Sequence, residues 1–193
     1  MMGVVELLRA TTNPGDRVIS TPPVYPPFAI CIEEAGCLVE PVPLREPSAD
    51  HDGWRLDLPG IERALAQGAR AVLLCNPHNP GGTVFTREEL LAIDAIAERH
   101  NLVVCSDEIH CDLLLDKDAR HLPYSALSPS AAERSAVMMA PSKTFNIAGL
   151  CCSFAVVPNS RLRLKLQQAM RGISADVNLL GFVAAEAAYE GGE

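Results

Sequence analysis

The chain has 193 residues, 48% of them hydrophobic, with a formal net charge of −8. It can bury one substantial core, and its acidity argues against nucleic acid or an anionic membrane surface as partner. No apolar run reaches the roughly eighteen residues of a membrane span, and Met1-Met2-Gly3-Val4-Val5-Glu6 lacks the basic and hydrophobic regions of a secretory signal.

Val4 to Thr11 reads as a short helix closed by the breaker Asn13-Pro14-Gly15-Asp16. Arg17 to Ser20 follows as a strand, and the prolines of Thr21-Pro22-Pro23-Val24-Tyr25-Pro26-Pro27 forbid regular pairing. Phe28 to Ala35 is predicted helical, with Gly36 as its stop, and Cys37 to Val42 is a second strand. Pro43 to Leu56 is a polar loop or hairpin anchored by the sole tryptophan, Trp54. Asp57 is placed to cap a helix ending near Gln67, and Arg70 to Cys75 is an apolar strand. Thr86-Arg87-Glu88-Glu89 has capping-box spacing and opens a helix running to about His100. Leu102 to Ser106, Ser135 to Met139 and Cys152 to Val157 are expected as buried strands, and Ser160 to Arg171 and Ala175 to about Glu190 as helices.

Strands that are fully apolar and alternate with helices predict an α/β fold with a mostly parallel sheet covered on both faces. Open sheets of this kind bind ligands at the carboxyl ends of their strands. Four loops begin at such ends, and each holds a residue suited to a planar charged ligand: Tyr25, Asn79, Asp107 and Lys143. Convergence of the four is the central expectation. Seven cysteines, mostly in or beside apolar runs, fit buried reduced thiols and a cytoplasmic setting better than a disulfide framework.

Lys143 stands out because the chain's other two lysines lie in plainly polar settings, Lys117 between aspartates and Lys165 on a polar helix face. A lysine desolvated past a strand end can lose its proton near neutral pH and act as a Schiff-base nucleophile; a lysine on an exposed loop is the plainer reading. Asn76-Pro77-His78-Asn79-Pro80-Gly81-Gly82 fixes an unusual backbone path and offers the Asn79 amide to a ligand, or is an ordinary turn. In Ser106-Asp107-Glu108-Ile109-His110-Cys111-Asp112, the first acid past the strand needs a cationic partner if buried. Glu108 and Asp112 fit plain solvation, and Asp107 with His110 leaves a metal site open as a competitor. Tyr25, held between prolines, is a ring platform or a surface packing residue. The helix opening at Gly3-Val4-Val5 offers amides to a phosphate, as any helix does.

Taken together, Pro23-Val24-Tyr25-Pro26-Pro27-Phe28, the Asn76 to Gly82 motif, Ser106-Asp107-Glu108-Ile109-His110 and Ser142-Lys143-Thr144-Phe145-Asn146 resemble, in order and spacing, pyridoxal-phosphate enzymes of the fold-type I aminotransferase superfamily (class I/II). The nearest resemblance is to the MalY/PatB group of cystathionine β-lyases, favoured by His110 where a tyrosine usually stands in aspartate aminotransferases.

The resemblance implies a three-layer αβα large domain, residues 1–193, that binds pyridoxal 5′-phosphate. It implies that Lys143 holds the cofactor covalently, Asp107 pairs with its pyridine nitrogen, Asn79 bonds its phenolic oxygen and Tyr25 stacks on its ring. Gly3, Val4 and Val5 would lie at the phosphate, with His110 and Ser142 alongside, and no metal. The implied reaction is α,β-elimination of cystathionine or another cysteine S-conjugate to pyruvate, ammonia and a thiol. Transamination is the alternative, since the same residues serve both. Family active sites form in homodimers. The family's small domain and its carboxylate-binding arginine have no counterpart in the sequence, so a remnant that binds cofactor with little turnover is a further expectation. A metal hydrolase and a non-enzymatic α/β binding module are weaker readings.

Overall fold

The computed structural model describes residues 1–174 and 176–192. Six strands form one sheet in the order β2-β1-β3-β4-β5-β6: β1 (Arg17–Ser20), β2 (Leu38–Pro41), β3 (Ala69–Cys75), β4 (Val103–Asp107), β5 (Ser135–Met139) and β6 (Phe154–Val156). The first five run parallel and β6 runs antiparallel to β5. The helices are α1 (Met2–Thr11), α2 (Pro27–Glu34), α3 (Leu58–Ala66), α4 (Arg87–His100), α5 (Pro129–Arg134), α6 (Ser160–Met170) and α7 (Leu179–Gly191).

Side chains alternate across a strand, and two separate cores follow from that alternation. Val18, Ala71, Leu73, Cys105 and Ala136 face α1, α2 and α6, meeting Leu7, Leu8, Phe28, Ile32 and Leu162. Ile19, Val72, Leu74, Val104 and Val137 face α3, α4 and α5, meeting Ile61, Leu90, Ile93 and Ala131. The three-layer αβα expectation holds.

Local chemistry explains most boundaries. The Thr86 hydroxyl accepts from the Glu89 amide at 3.2 Å while the Glu89 carboxylate accepts from the Thr86 amide at 3.0 Å, which completes the predicted capping box. Asn101, left-handed at φ 51°, ends that helix. Asp57, by contrast, makes no cap bond to α3; its carboxylate accepts instead from Arg63 at 3.4 Å. Asn178 caps α7 through the Gly181 amide and also donates to the Leu150 carbonyl at 2.9 Å. The tail helix therefore begins at Leu179 rather than near Ala175, a residue that lies outside those described. Tyr189 of α7 packs edge-on against Phe145, ring centroids 5.7 Å apart, and so buttresses the turn that carries Lys143.

The buried strand expected at Cys152 to Val157 is corrected. β6 is three residues long, and all three are exposed: the described helices give it one aromatic contact, Tyr189 of α7 edge-on to Phe154 with ring centroids 6.1 Å apart. α5 was not anticipated, although Ser128 accepting from the Ala131 amide and Pro129 in the first turn are both start signals.

Candidate active site

Parallel register brings the site together. Cys75 sits beside Asp107, and Asp107 beside Met138, at the last paired positions between β3 and β4 and between β4 and β5. Asp107 continues the row of Val103 and Cys105, on the sheet face beneath α1. Its Oδ1 accepts from the Ile109 amide at 3.2 Å. Burial still pushes the carboxyl above its ordinary range; the Ile109 amide pulls it back, and the Lys143 ammonium does so more weakly. Such a carboxylate calls for a cation close by.

The adjacent acid takes the opposite face. Glu108 is fully buried, which corrects the expectation of solvation. Its Oε1 accepts from Ser106 Oγ at 2.8 Å and from the Tyr124 amide at 2.9 Å, and its Oε2 lies 2.6 Å from His121 Nε2. Glu108 thus serves the α4 side of the core.

Around Asp107 the loops close over one cleft. Tyr25 donates its amide to the Asn79 carbonyl at 3.0 Å, tying the β1 loop to the β3 loop, and its ring stands edge-on to Phe28. The β3 loop is held by its own bonds: the Asn76 side chain accepts from the Phe85 amide at 3.0 Å, and the His78 amide donates to the Thr83 carbonyl at 2.8 Å. Gly81 passes so close to Trp54 and His78 that a Cβ there would meet both at 2.8 Å, so Trp54 is indeed the anchor of its loop. His110 is half-buried, and burial, with the nearby Lys143 charge, lowers its pKa, leaving a neutral imidazole at pH 7. The Lys143 turn is braced by Phe145 and Ile147 amides donating to the Pro141 and Ser142 carbonyls at 3.0 and 3.1 Å.

The resulting cleft has a volume of about 150 Å³. Gly3, Val4, Tyr25, Asn79, Asp107, His110 and Lys143 all border it, so the predicted convergence is observed. Val5 and Ser142 do not border it; Val5 packs in the core with α1's other apolar residues. The Val4 and Val5 amides both donate to the Met1 carbonyl, at 3.0 and 3.3 Å. Lys143 is exposed at the mouth rather than desolvated, and among the described residues no carboxylate lies within ion-pairing distance of it. Sequence reasoning missed the floor. Cys75, its thiol pushed up to about 12 by burial, and Met138 were legible as the register neighbours of Asp107, whereas Ser153 gave no signal. Among the described residues, no group of three or more His, Cys, Asp or Glu side chains is placed to hold a metal ion.

Residues 3–190 match the family described as aminotransferase class I and II. The chain belongs to that family. Among its relatives, cystathionine beta-lyase PatB of Bacillus subtilis (strain 168) is 39% identical over 98% of this chain and 50% of its own length. The crystal structure of OvoB superposes with a TM-score of 0.93 at 44% identity, covering 99% of this chain and 50% of that one. Cystalysin from Treponema denticola, a structure containing a pyridoxal 5′-phosphate cofactor, gives a TM-score of 0.90 at 31% identity, covering 98% and 48%. This class I and II aminotransferase family chain therefore spans about half the length of the relatives it matches.

Proposed function

We propose that this chain supplies the cofactor cleft of a pyridoxal-phosphate-dependent carbon–sulfur β-lyase acting on cystathionine or other cysteine S-conjugates. The observation that carries the reading is the placing of Asp107, raised by burial, and Lys143, free of ion pairs among the described residues, on one cleft with Tyr25 and Asn79. These residues fit the cofactor. Asp107 needs a cation and would hold the proton on a heterocyclic nitrogen. Asn79 offers an amide donor to a ring oxygen. α1 opens beside the cleft with no side-chain cap, and with Val4 and Val5 committed to Met1, the amides of Met2 and Gly3 suit a phosphate best. A side chain at Gly3 would have its Cβ 3.4 Å from the Met138 sulfur.

Bound pyridoxal phosphate supplies an electron sink for negative charge developing at the substrate's Cα. The residues do the rest. Lys143 Nζ would hold the group and, as a free amine, would take the proton from the substrate's Cα. Asp107 would keep a proton on the group's heterocyclic nitrogen. Tyr25, which borders the cleft, would pack against the bound group and exclude water from it, and His110, neutral at pH 7, would be available as a hydrogen-bond partner beside Lys143.

The β-lyase reading is supported by the name of the PatB relative, and the family's own description supports transamination as the alternative. Among the described residues no helix is long and apolar enough to cross a membrane, which accords with a cytoplasmic enzyme. The exposed Leu179, Leu180, Phe182 and Val183 of α7 accord with a homodimer.

The test is to add pyridoxal phosphate, reduce with borohydride and map the modified peptide by mass spectrometry. Label on Lys143, lost in Lys143→Ala, is expected; label elsewhere, or none on folded protein, overturns the reading. Pyruvate release from cystathionine should then exceed amino-group exchange with a 2-oxo acid, and the reverse order would select the aminotransferase.

A further inference from the structure

A second groove, of about 480 Å³, opens from the cleft and shares Asn79 and His110 with it. Its walls are Pro77, Pro80 and Val84 on the β3 side and Leu113, Leu114 and Leu115 on the other. The two walls meet at His110, whose carbonyl accepts from the Leu113 amide at 3.0 Å. Leu113 is 39% exposed and Leu115 is 97% exposed. These leucines follow His110-Cys111-Asp112 in the chain yet take no part in either core.

Charge narrows what this groove can hold. Among the described residues, Asp116 is the one formally charged residue lining it, because His78 and His110, both lowered by burial, are neutral at pH 7. One Asp116 oxygen accepts from the Asp118 amide at 3.0 Å. The nearest cations in sequence do not line the groove, and Arg120 is turned onto the Lys117 and Ala119 carbonyls at 2.8 and 2.7 Å.

We infer that this groove receives the sulfur-bound substituent of the substrate and selects an apolar substituent, neutral or cationic at its tip, over an anionic one. The inference rests on the proposed lyase reading and deepens it. A group on sulfur, beyond the reacting carbons, must leave the cleft along some wall, and the Asn79 to His110 edge opens onto apolar surface. An anionic tip would be desolvated against leucine and set near Asp116 with no lining cation to pair with. The carboxylate on the far arm of cystathionine is disfavoured for the same reason, although its ammonium is not, so S-benzyl or S-alkyl cysteine, which carries no charge on that arm, is the better substrate.

Two measurements test this. Benzyl methyl sulfide, 2-(methylthio)ethylamine and (methylthio)acetate are titrated into the full chain without added cofactor while amide NMR shifts of Leu114 and Ala119 are followed. Pyruvate formation from S-benzyl-, S-(2-aminoethyl)- and S-carboxymethylcysteine is then compared in the cofactor-loaded protein. The benzyl and amino probes should shift those amides and the acetate should not, and kcat/KM for S-benzylcysteine should exceed that for S-carboxymethylcysteine by about tenfold or more. Leu114→Asp should remove the benzyl advantage, and Asp116→Lys should move the amino-to-carboxy ratio about fivefold toward the acid.

Groove shifts without turnover of any conjugate would sink the lyase reading and leave the groove standing. Turnover with ratios unmoved by both variants would overturn the groove and leave the lyase.

Discussion

Replacing His121 by alanine isolates one carboxylate in the core. Glu108 is fully buried, and His121 Nε2 at 2.6 Å is the one partner of its Oε2 among the described residues. The variant leaves that oxygen facing an apolar space, since Ser106 and the Tyr124 amide bond Oε1. Removing one member of a buried pair costs about 3–5 kcal/mol, which for a domain of this size lowers Tm by roughly 6–20 °C. Glu108→Gln is the milder control: it removes the charge but keeps the acceptor for Ser106 and Tyr124, and should cost about 1 kcal/mol. Urea unfolding followed by circular dichroism and Trp54 fluorescence measures both. A loss of under about 1 kcal/mol for His121→Ala, the range of a solvated surface pair, would show that water reaches Glu108 and that burial is not what couples these residues.

Asp107→Asn should stabilise the cofactor-free protein at pH 7 while weakening its stabilisation by added pyridoxal phosphate, read as two thermal shifts of opposite sign. The sign follows from burial: the folded protein holds the Asp107 proton more tightly than the unfolded chain, so stability falls as pH rises from the ordinary carboxylate value through the raised one, and the advantage of asparagine should vanish near pH 4. His78 and His110 act in the other direction. Both are lowered by burial, so stability is fully present above about pH 6.5 and falls below it, by up to about 1.4 kcal/mol per pH unit for each histidine until the folded-state value is passed. A pH titration of urea midpoints in wild type and His110→Gln checks this. Thr86→Ala should cost about 1 kcal/mol by opening the capping box. Gly81→Ala should displace Trp54, reported by a red shift of its fluorescence and a lower Tm.

What the sequence disclosed and what it hid divide along a physical line. Tyr25, Asn79, Asp107 and Lys143 were legible because each lies at the carboxyl end of a strand or in the loop that leaves it, and parallel strands carry their loops to one edge. The capping box at Thr86 was legible because its partners are three residues apart. Glu108 was not, because the group that satisfies it, His121, is thirteen residues away with no periodicity linking them. The exposure of Lys143 and of β6 was hidden for a related reason: an apolar run or a strand end says what could be buried, whereas cover comes from elements distant in sequence, and the edge-on contacts of Tyr189 with Phe145 and Phe154 leave both exposed.

The alternation in β4 has a further consequence. Asp107 and Glu108 are neighbours in the chain, yet one carboxylate opens into the cleft and the other is sealed beneath Tyr124, with the thickness of the sheet between them. The sheet behaves here as a reading frame. Side-chain assignment along a strand changes in steps of one residue, so inserting or deleting a residue within Val103–Cys105 would not move the site carboxylate by a fraction of an ångström. It would rotate Asp107 into the apolar core and turn Ser106 or Glu108 toward the ligand, so a site framed in this way is kept whole or lost at a single step.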